Sequence, residues 1–189
     1  MKRLGILGGT FDPIHLGHLR MAEVVLEKMR LDKVIFVPSH FPPHKSAAGL
    51  SPAAERLYLV RLAIQRNPNF AVSAFETRRA GKSYSIDTLR HFARAFPKSK
   101  LFFIIGYDAF TALHQWKAIE DILNIAEFVV VNRPGNFINP HRIKHFSVLM
   151  PGMDISSSSI RQLVKQRKSI RYLVPEAVRG YIEKNGLYK

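Results

Sequence analysis

Residues 8–18 read Gly-Gly-Thr-Phe-Asp-Pro-Ile-His-Leu-Gly-His, and they follow a compact apolar run at 3–7, Arg-Leu-Gly-Ile-Leu. The run reads as a buried strand, and the residues from about 16 to 30 read as a helix. The eleven residues are therefore a strand-to-helix turn. Gly8 and Gly9 let the backbone turn sharply and approach a ligand closely. A helix start offers unpaired N–H groups and the positive end of a dipole, which suits phosphate. Thr10 and the amides after it add donors, and His15 and His18, three apart, sit on the same helix mouth. A Gly-Gly turn alone is common, but the whole string in this context points to phosphoryl or nucleotidyl chemistry. It is not a P-loop, since no Gly-Lys-Ser/Thr follows, and it is not G-x-G-x-x-G.

Working outward, strand and helix signals alternate. Strands are expected at 33–38, 70–75, 101–106, 128–131 and 146–150. Helices are expected at 51–67, with Ser51 as N-cap and Pro52 in the first turn, from Tyr84 or Ser85 to about 96, at 156–167 and at 175–185. Strands apolar on both faces, such as Leu101–Gly106, imply a mostly parallel, doubly wound α/β sheet with helices on both faces and a small helical C-terminal part. No linker interrupts the chain, so residues 1–189 read as one domain. In such sheets ligands bind beyond the carboxyl ends of the strands, where strand order reverses. Those ends carry Gly8–His18, Pro38–Lys45, Gly106–Asp108 and Asn132-Arg133.

Bulk properties narrow the chemistry. The 189 residues are 47% hydrophobic and contain no cysteine, which excludes a disulfide framework, a thiolate metal site and a cysteine nucleophile. No apolar run approaches the ~18 residues of a membrane span, and no signal-peptide pattern opens the chain, so a cytoplasmic location is expected. The net charge of +15 favours polyanionic partners. The excess is uneven, and its densest part is Arg161, Lys165, Arg167, Lys168 and Arg171.

A second phosphate candidate is Asp154-Ile155-Ser156-Ser157-Ser158-Ser159-Ile160-Arg161. Serines at a helix start supply caps and hydroxyl donors, and Arg161 can reach a phosphate with two parallel bonds. The loop Pro38–Lys45 is a candidate ligand-facing segment. Tyr84 and Ser85 open a helix and could present a ring and donors, or could serve only as cap and core. Asp108 could accept from a ribose hydroxyl or cap a helix. Trp116, the sole tryptophan, could stack on a flat ligand or pack against the core.

Together these motifs resemble the nucleotidyltransferase superfamily. Gly8–His18 is similar to its T/HxGH motif and Ser156–Arg161 to its ISSTxIR motif. With PPHK, SYSIDTL, GxD before a later Trp, NRPG at 132–135 and a terminal VPEAV…YI…LY, nearly the whole chain resembles the bacterial nicotinate-nucleotide adenylyltransferases. Ser158 and Ser85 stand where that family commonly has Thr; both swaps keep a hydroxyl and lose a methyl. The resemblance implies a Rossmann-like fold and the reaction of ATP with nicotinate mononucleotide to give nicotinate adenine dinucleotide and pyrophosphate. It implies catalytic roles for His15, His18 and Arg161. ATP would be bound by Gly8, Gly9, Thr10, Phe11, His15, His18, Gly106, Asp108, Ser157, Ser158 and Arg161. Lys45, Tyr84, Ser85, Trp116 and Arg133 would surround the nicotinate nucleotide. Mg2+ would ride on ATP, with no metal ligand from a protein side chain.

Two other readings compete. One is another nucleotidyltransferase, of nicotinamide-mononucleotide, pantetheine-phosphate or cytidylyl type. The other is a basic nucleic-acid-binding protein, the weaker because no RRM, KH or zinc-finger motif is present. The sequence leaves a homo-oligomer open.

Overall fold

The computed structural model describes residues 1–41, 49–132, 143–150 and 152–189. Six strands form one sheet: β1 (Lys2–Gly9), β2 (Lys33–Pro38), β3 (Phe70–Val72), β4 (Ser99–Gly106), β5 (Glu127–Asn132) and β6 (His145–Leu149). Their order is β3-β2-β1-β4-β5-β6, and every pairing is parallel. The chain builds outward from β1 to β3, then returns to β1's other side with β4. The switch point therefore lies between the carboxyl ends of β1 and β4.

Period-two alternation decides which helices cover which face. Leu7, Val34, Phe36, Phe102, Ile104, Val129 and Val131 point to one side, where they meet α1 (Leu16–Lys28), α2 (Ala53–Ile64), α6 (Ser157–Lys165) and α7 (Glu176–Asn185). Leu4, Ile6, Ile35, Val37, Leu101, Phe103, Ile105, Phe128 and Val130 point to the other. There they meet α3 (Ser85–Ala95), α4 (Tyr107–Thr111) and α5 (Ile119–Ile125). Both faces are apolar, so a slip of one residue would exchange the two sets of side chains against unlike helices. Gly5 allows a close approach: a Cβ there would lie 2.8 Å from Leu31 and 2.9 Å from Ile104. The helical C-terminal part is α6 and α7, which bury Ile160, Val178 and Ile182 on the α1 side.

Three local expectations are corrected. Helix α2 begins at Ala53 with Pro52 as its N-cap, not Ser51. Tertiary contacts claim Ser51: its N–H donates to Asp12 Oδ2 (3.2 Å), and its carbonyl accepts from Arg56 Nε (2.9 Å). Strand β3 stops at Val72, because Ser73 Oγ accepts from the Phe75 N–H and turns the chain. Helices α4 and α5 and the 3-10 turn Leu113–Gln115 were not expected, being too short to show a periodicity. Among the described residues, no helix is long and apolar enough to cross a membrane.

Candidate active site

The site is built first from the turn after β1. Phe11 adopts a left-handed conformation (φ 52°) and tucks its ring into the core, 1% exposed. That ring lies over Gly9, where a Cβ would come within 2.7 Å of it, so a side chain at position 9 would displace Phe11. Phe11 in turn meets His18 edge-on, with ring centroids 5.0 Å apart. His15 stacks on His18 from another side at 3.7 Å. The His15 N–H donates to His18 Nδ1 (3.3 Å). With Nδ1 accepting, the neutral His18 ring carries its proton on Nε2, and that atom is the donor.

The second helix mouth docks on the same turn. Ser156 caps α6, accepting from the Ser159 N–H (3.1 Å), while Ser159 Oγ accepts from the Ser156 N–H (3.2 Å). Ser157 Oγ donates to the Pro13 carbonyl (2.9 Å), and Arg161 Nη1 donates to the Asp12 carbonyl (2.7 Å). The starts of α1 and α6 therefore line one cavity of about 710 Å3, with Thr10, His15, His18, Asp108, Ser156, Ser157, Ser158 and Arg161 on its wall. A second cavity of about 610 Å3 opens on the α3 side of the sheet. Gly8, Gly9, Thr10, His18, Tyr84, Ser85, Trp116 and Lys117 line it. Thr10, His18, Met21 and Gly106 belong to both. The two hollows thus meet over the switch point, with His18 on their common wall.

Most residues singled out in the sequence gather here, with some redistribution. Gly8 and Gly9, read there as ATP ligands, face the second cavity. Phe11 lines neither and acts as a prop. Arg161 has two donors committed within the protein, to the Asp12 carbonyl and to Ser158 Oγ (3.3 Å), so only part of its fork remains for a phosphate. Trp116 is half-buried and packs edge-on against Phe103 at 5.8 Å. Lys45 and Arg133 lie outside the described residues. Of the basic cluster, only Arg161 reaches the site; Lys165, Arg167 and Lys168 line a separate hollow beside α7.

Among the described residues, no three His, Asp or Glu side chains gather as metal ligands. Two carboxylates line the first cavity, Asp108 and Asp12, and Asp12 is already engaged by the Ser51 N–H and the Tyr188 hydroxyl. This donor set fits a Mg2+ that arrives with phosphate and water ligands, not one held in an all-protein cage.

The model of the cytidylyltransferase-like family matches residues 6–163. The nicotinate-nucleotide adenylyltransferase of Bacillus subtilis is 40% identical over 190 residues, covering 100% of both chains. The chain belongs to the nicotinate-nucleotide adenylyltransferase family. The Plasmodium falciparum nicotinic acid mononucleotide adenylyltransferase complexed with NaAD shares the fold, with a TM-score of 0.83 at 20% identity, covering 100% of this chain and 98% of that one. The same protein complexed with APC gives 0.81.

In this member of the adenylyltransferase family, several residues that shape the site carried no sequence signal. Arg56 is 1% exposed, and its guanidinium donates to the carbonyls of Thr10 (2.7 Å), His40 (2.9 Å) and Ser51 (2.9 Å). One side chain thus ties the β1 turn to the β2 loop and the approach to α2. Burial holds its pKa below the ordinary arginine value, partly offset by Asp12. Asp12, also 1% exposed, accepts from the Tyr188 hydroxyl (2.8 Å). Burial pushes the Tyr188 phenol upward. Glu76 is buried in the wall of the second cavity, accepting from the Thr88 hydroxyl, and burial raises its carboxyl toward the neutral form. A buried Arg or Glu on a short helix or loop reads in sequence as a solvated residue, which is why these were missed.

Proposed function

We propose that this protein transfers the adenylyl group of ATP to nicotinate mononucleotide, giving nicotinate adenine dinucleotide and pyrophosphate. The observation that carries the reading is the pair of nucleotide-sized cavities sharing His18 and Gly106. The triphosphate occupies the first, between the starts of α1 and α6. The pyridine nucleotide occupies the second, beside Tyr84, Ser85 and Trp116. Its 5′-phosphate and the α-phosphate of ATP then meet at the common wall.

In the reaction an acceptor phosphate oxygen attacks the α-phosphorus, a new P–O–P bridge forms, and the bond from that phosphorus to the β-phosphate's bridging oxygen breaks. The acceptor monoester is mostly dianionic at neutral pH, its second pKa being about 6, so no general base is required. The protein's task is to hold anions together and match the charge that builds up. His18 Nε2–H donates to an α-phosphate oxygen. His15, the α6 amides, Ser158 and Arg161 neutralise the β- and γ-phosphates, and Asp108 takes the ribose side. Mg2+, where bound, offsets phosphate charge. Lys45 and Arg133 remain assigned to the acceptor on the family resemblance.

The whole chain acts as one domain in this reading, in the cytoplasm, as the lack of cysteine supports. Pyrophosphate release with ATP and a panel of acceptors tests it. Turnover should be highest with nicotinate mononucleotide; equal or better turnover of the amide, of phosphopantetheine, or of CTP in place of ATP would overturn it.

A further inference from the structure

The second cavity contains a cation that the reading above does not use. Lys117 lines it, and its ammonium lies 4.6 Å from the centroid of the Tyr84 ring. Tyr84 is the N-cap of α3, an eleven-residue helix whose positive end faces the same cavity through Tyr84 and Ser85. The cation–π contact therefore parks the ammonium beside a helix start, so two sources of positive potential converge. Backbone geometry fixes this placement. Ala118, directly after Lys117, is held in the left-handed region (φ 54°, ψ 47°), an unfavourable conformation for a residue with a Cβ. It turns the chain sharply into α5 and leaves Trp116 and Lys117 on the cavity wall, with Trp116 braced against Phe103.

Among the described residues that line this cavity, Lys117 is the one lysine or arginine. Among the described lining residues, the only other Asp, Glu, Lys or Arg is Glu76. It is 8% exposed and is engaged by the Thr88 hydroxyl. His18, His114 and the Tyr84 phenol are the remaining titratable groups among the described lining residues.

We propose that the Lys117 ammonium is a specificity determinant: it faces the ring carboxylate of the acceptor nucleotide and favours the acid over the corresponding carboxamide. The inference rests on the acceptor reading above. Nicotinate and nicotinamide nucleotides have nearly the same shape, so packing on Trp116 separates them poorly, whereas one negative charge beside a fixed cation does. Lys117 is exposed, so water and salt screen the attraction and a moderate effect is expected.

The test is kcat/KM for both mononucleotides, at low and high salt, in the wild type and in Lys117→Gln, Lys117→Arg and Lys117→Glu. For Lys117→Gln, kcat/KM with the acid should fall about fivefold, mainly through KM, with the amide unchanged. Lys117→Arg should retain the preference, and Lys117→Glu should reverse its direction. The wild-type preference should shrink as salt rises, and the Gln variant should lack that salt dependence. If Lys117→Gln changes both acceptors equally, or neither, while the wild type still prefers the acid, the Lys117 assignment is overturned and the acceptor reading stands. If the wild type prefers the amide, the acceptor reading itself falls and takes this proposal with it.

Discussion

His18 illustrates how much a single residue owes to its neighbours. Its ring is gripped by the edge of Phe11 and the face of His15, and its Nδ1 accepts a backbone N–H, so its orientation and its neutral tautomer are set before any ligand arrives. Such a preorganised donor contributes mainly in the transition state. His18→Ala should lower kcat by roughly two orders of magnitude or more, with the urea midpoint little changed. Near-normal turnover would remove His18 from the mechanism. Glu76 shows the opposite balance. Its folded pKa is raised above the ordinary carboxylate value of 4.5, chiefly by burial. The folded state therefore holds that proton more tightly than the unfolded chain. Its contribution to stability is complete below the ordinary value and is lost as pH rises through the folded value. Glu76→Gln should thus gain stability relative to the wild type as pH increases from 4 to 7. Urea unfolding at several pH values checks this, and a constant difference would refute it.

At the scale of elements, α6 shows how a short helix can be both weak and decisive. Only Ile160 of its nine residues is buried, so the helix depends on its Ser156/Ser159 capping box and on the docking of Ser157 and Arg161. Ser156→Ala should cost about 1 kcal/mol of local stability. It should loosen the first turn, raise KM for ATP severalfold and leave KM for the acceptor alone, since Ser156 lines only the first cavity. Hydrogen exchange at the Ser159 amide would accelerate. An unchanged exchange rate would mean that docking alone holds the helix start. The serine run was legible because capping is local chemistry; that it leans on Asp12 and Pro13 was not, because those partners lie more than 140 residues away along the chain.

For the whole molecule, the parts meet through Arg56 and Asp12. Arg56 gives three hydrogen bonds to carbonyls of three separate segments, while Asp12 receives the hydroxyl of Tyr188 from the far end of the chain. Arg56→Met would fill the space but leave those carbonyls without their donor. It should destabilise the fold by at least about 3 kcal/mol, since each buried unsatisfied polar group costs about 1–3 kcal/mol. It should also lower kcat by releasing the Thr10 turn. Calorimetry together with kinetics at low temperature separates the two effects; a variant as stable as the wild type would show that water replaces the guanidinium.

Near-neighbour chemistry was enough to establish the alternation of buried strands with helices, hence a parallel sheet covered on both faces. It also determined the two phosphate-seeking helix starts, because glycine turns, serine caps and apolar runs act through bonds between near neighbours. Long-range packing was needed to bring both helix starts into one cavity, to join that cavity to a second at His18, and to draw Ser51 to Asp12 so that Pro52 takes the N-cap of α2. It alone placed Arg56 and Glu76 inside and set Lys117 against Tyr84. The physical reason is that burial of a charge, and the partner that satisfies it, depend on which distant segments are brought together, and local periodicity carries no record of that.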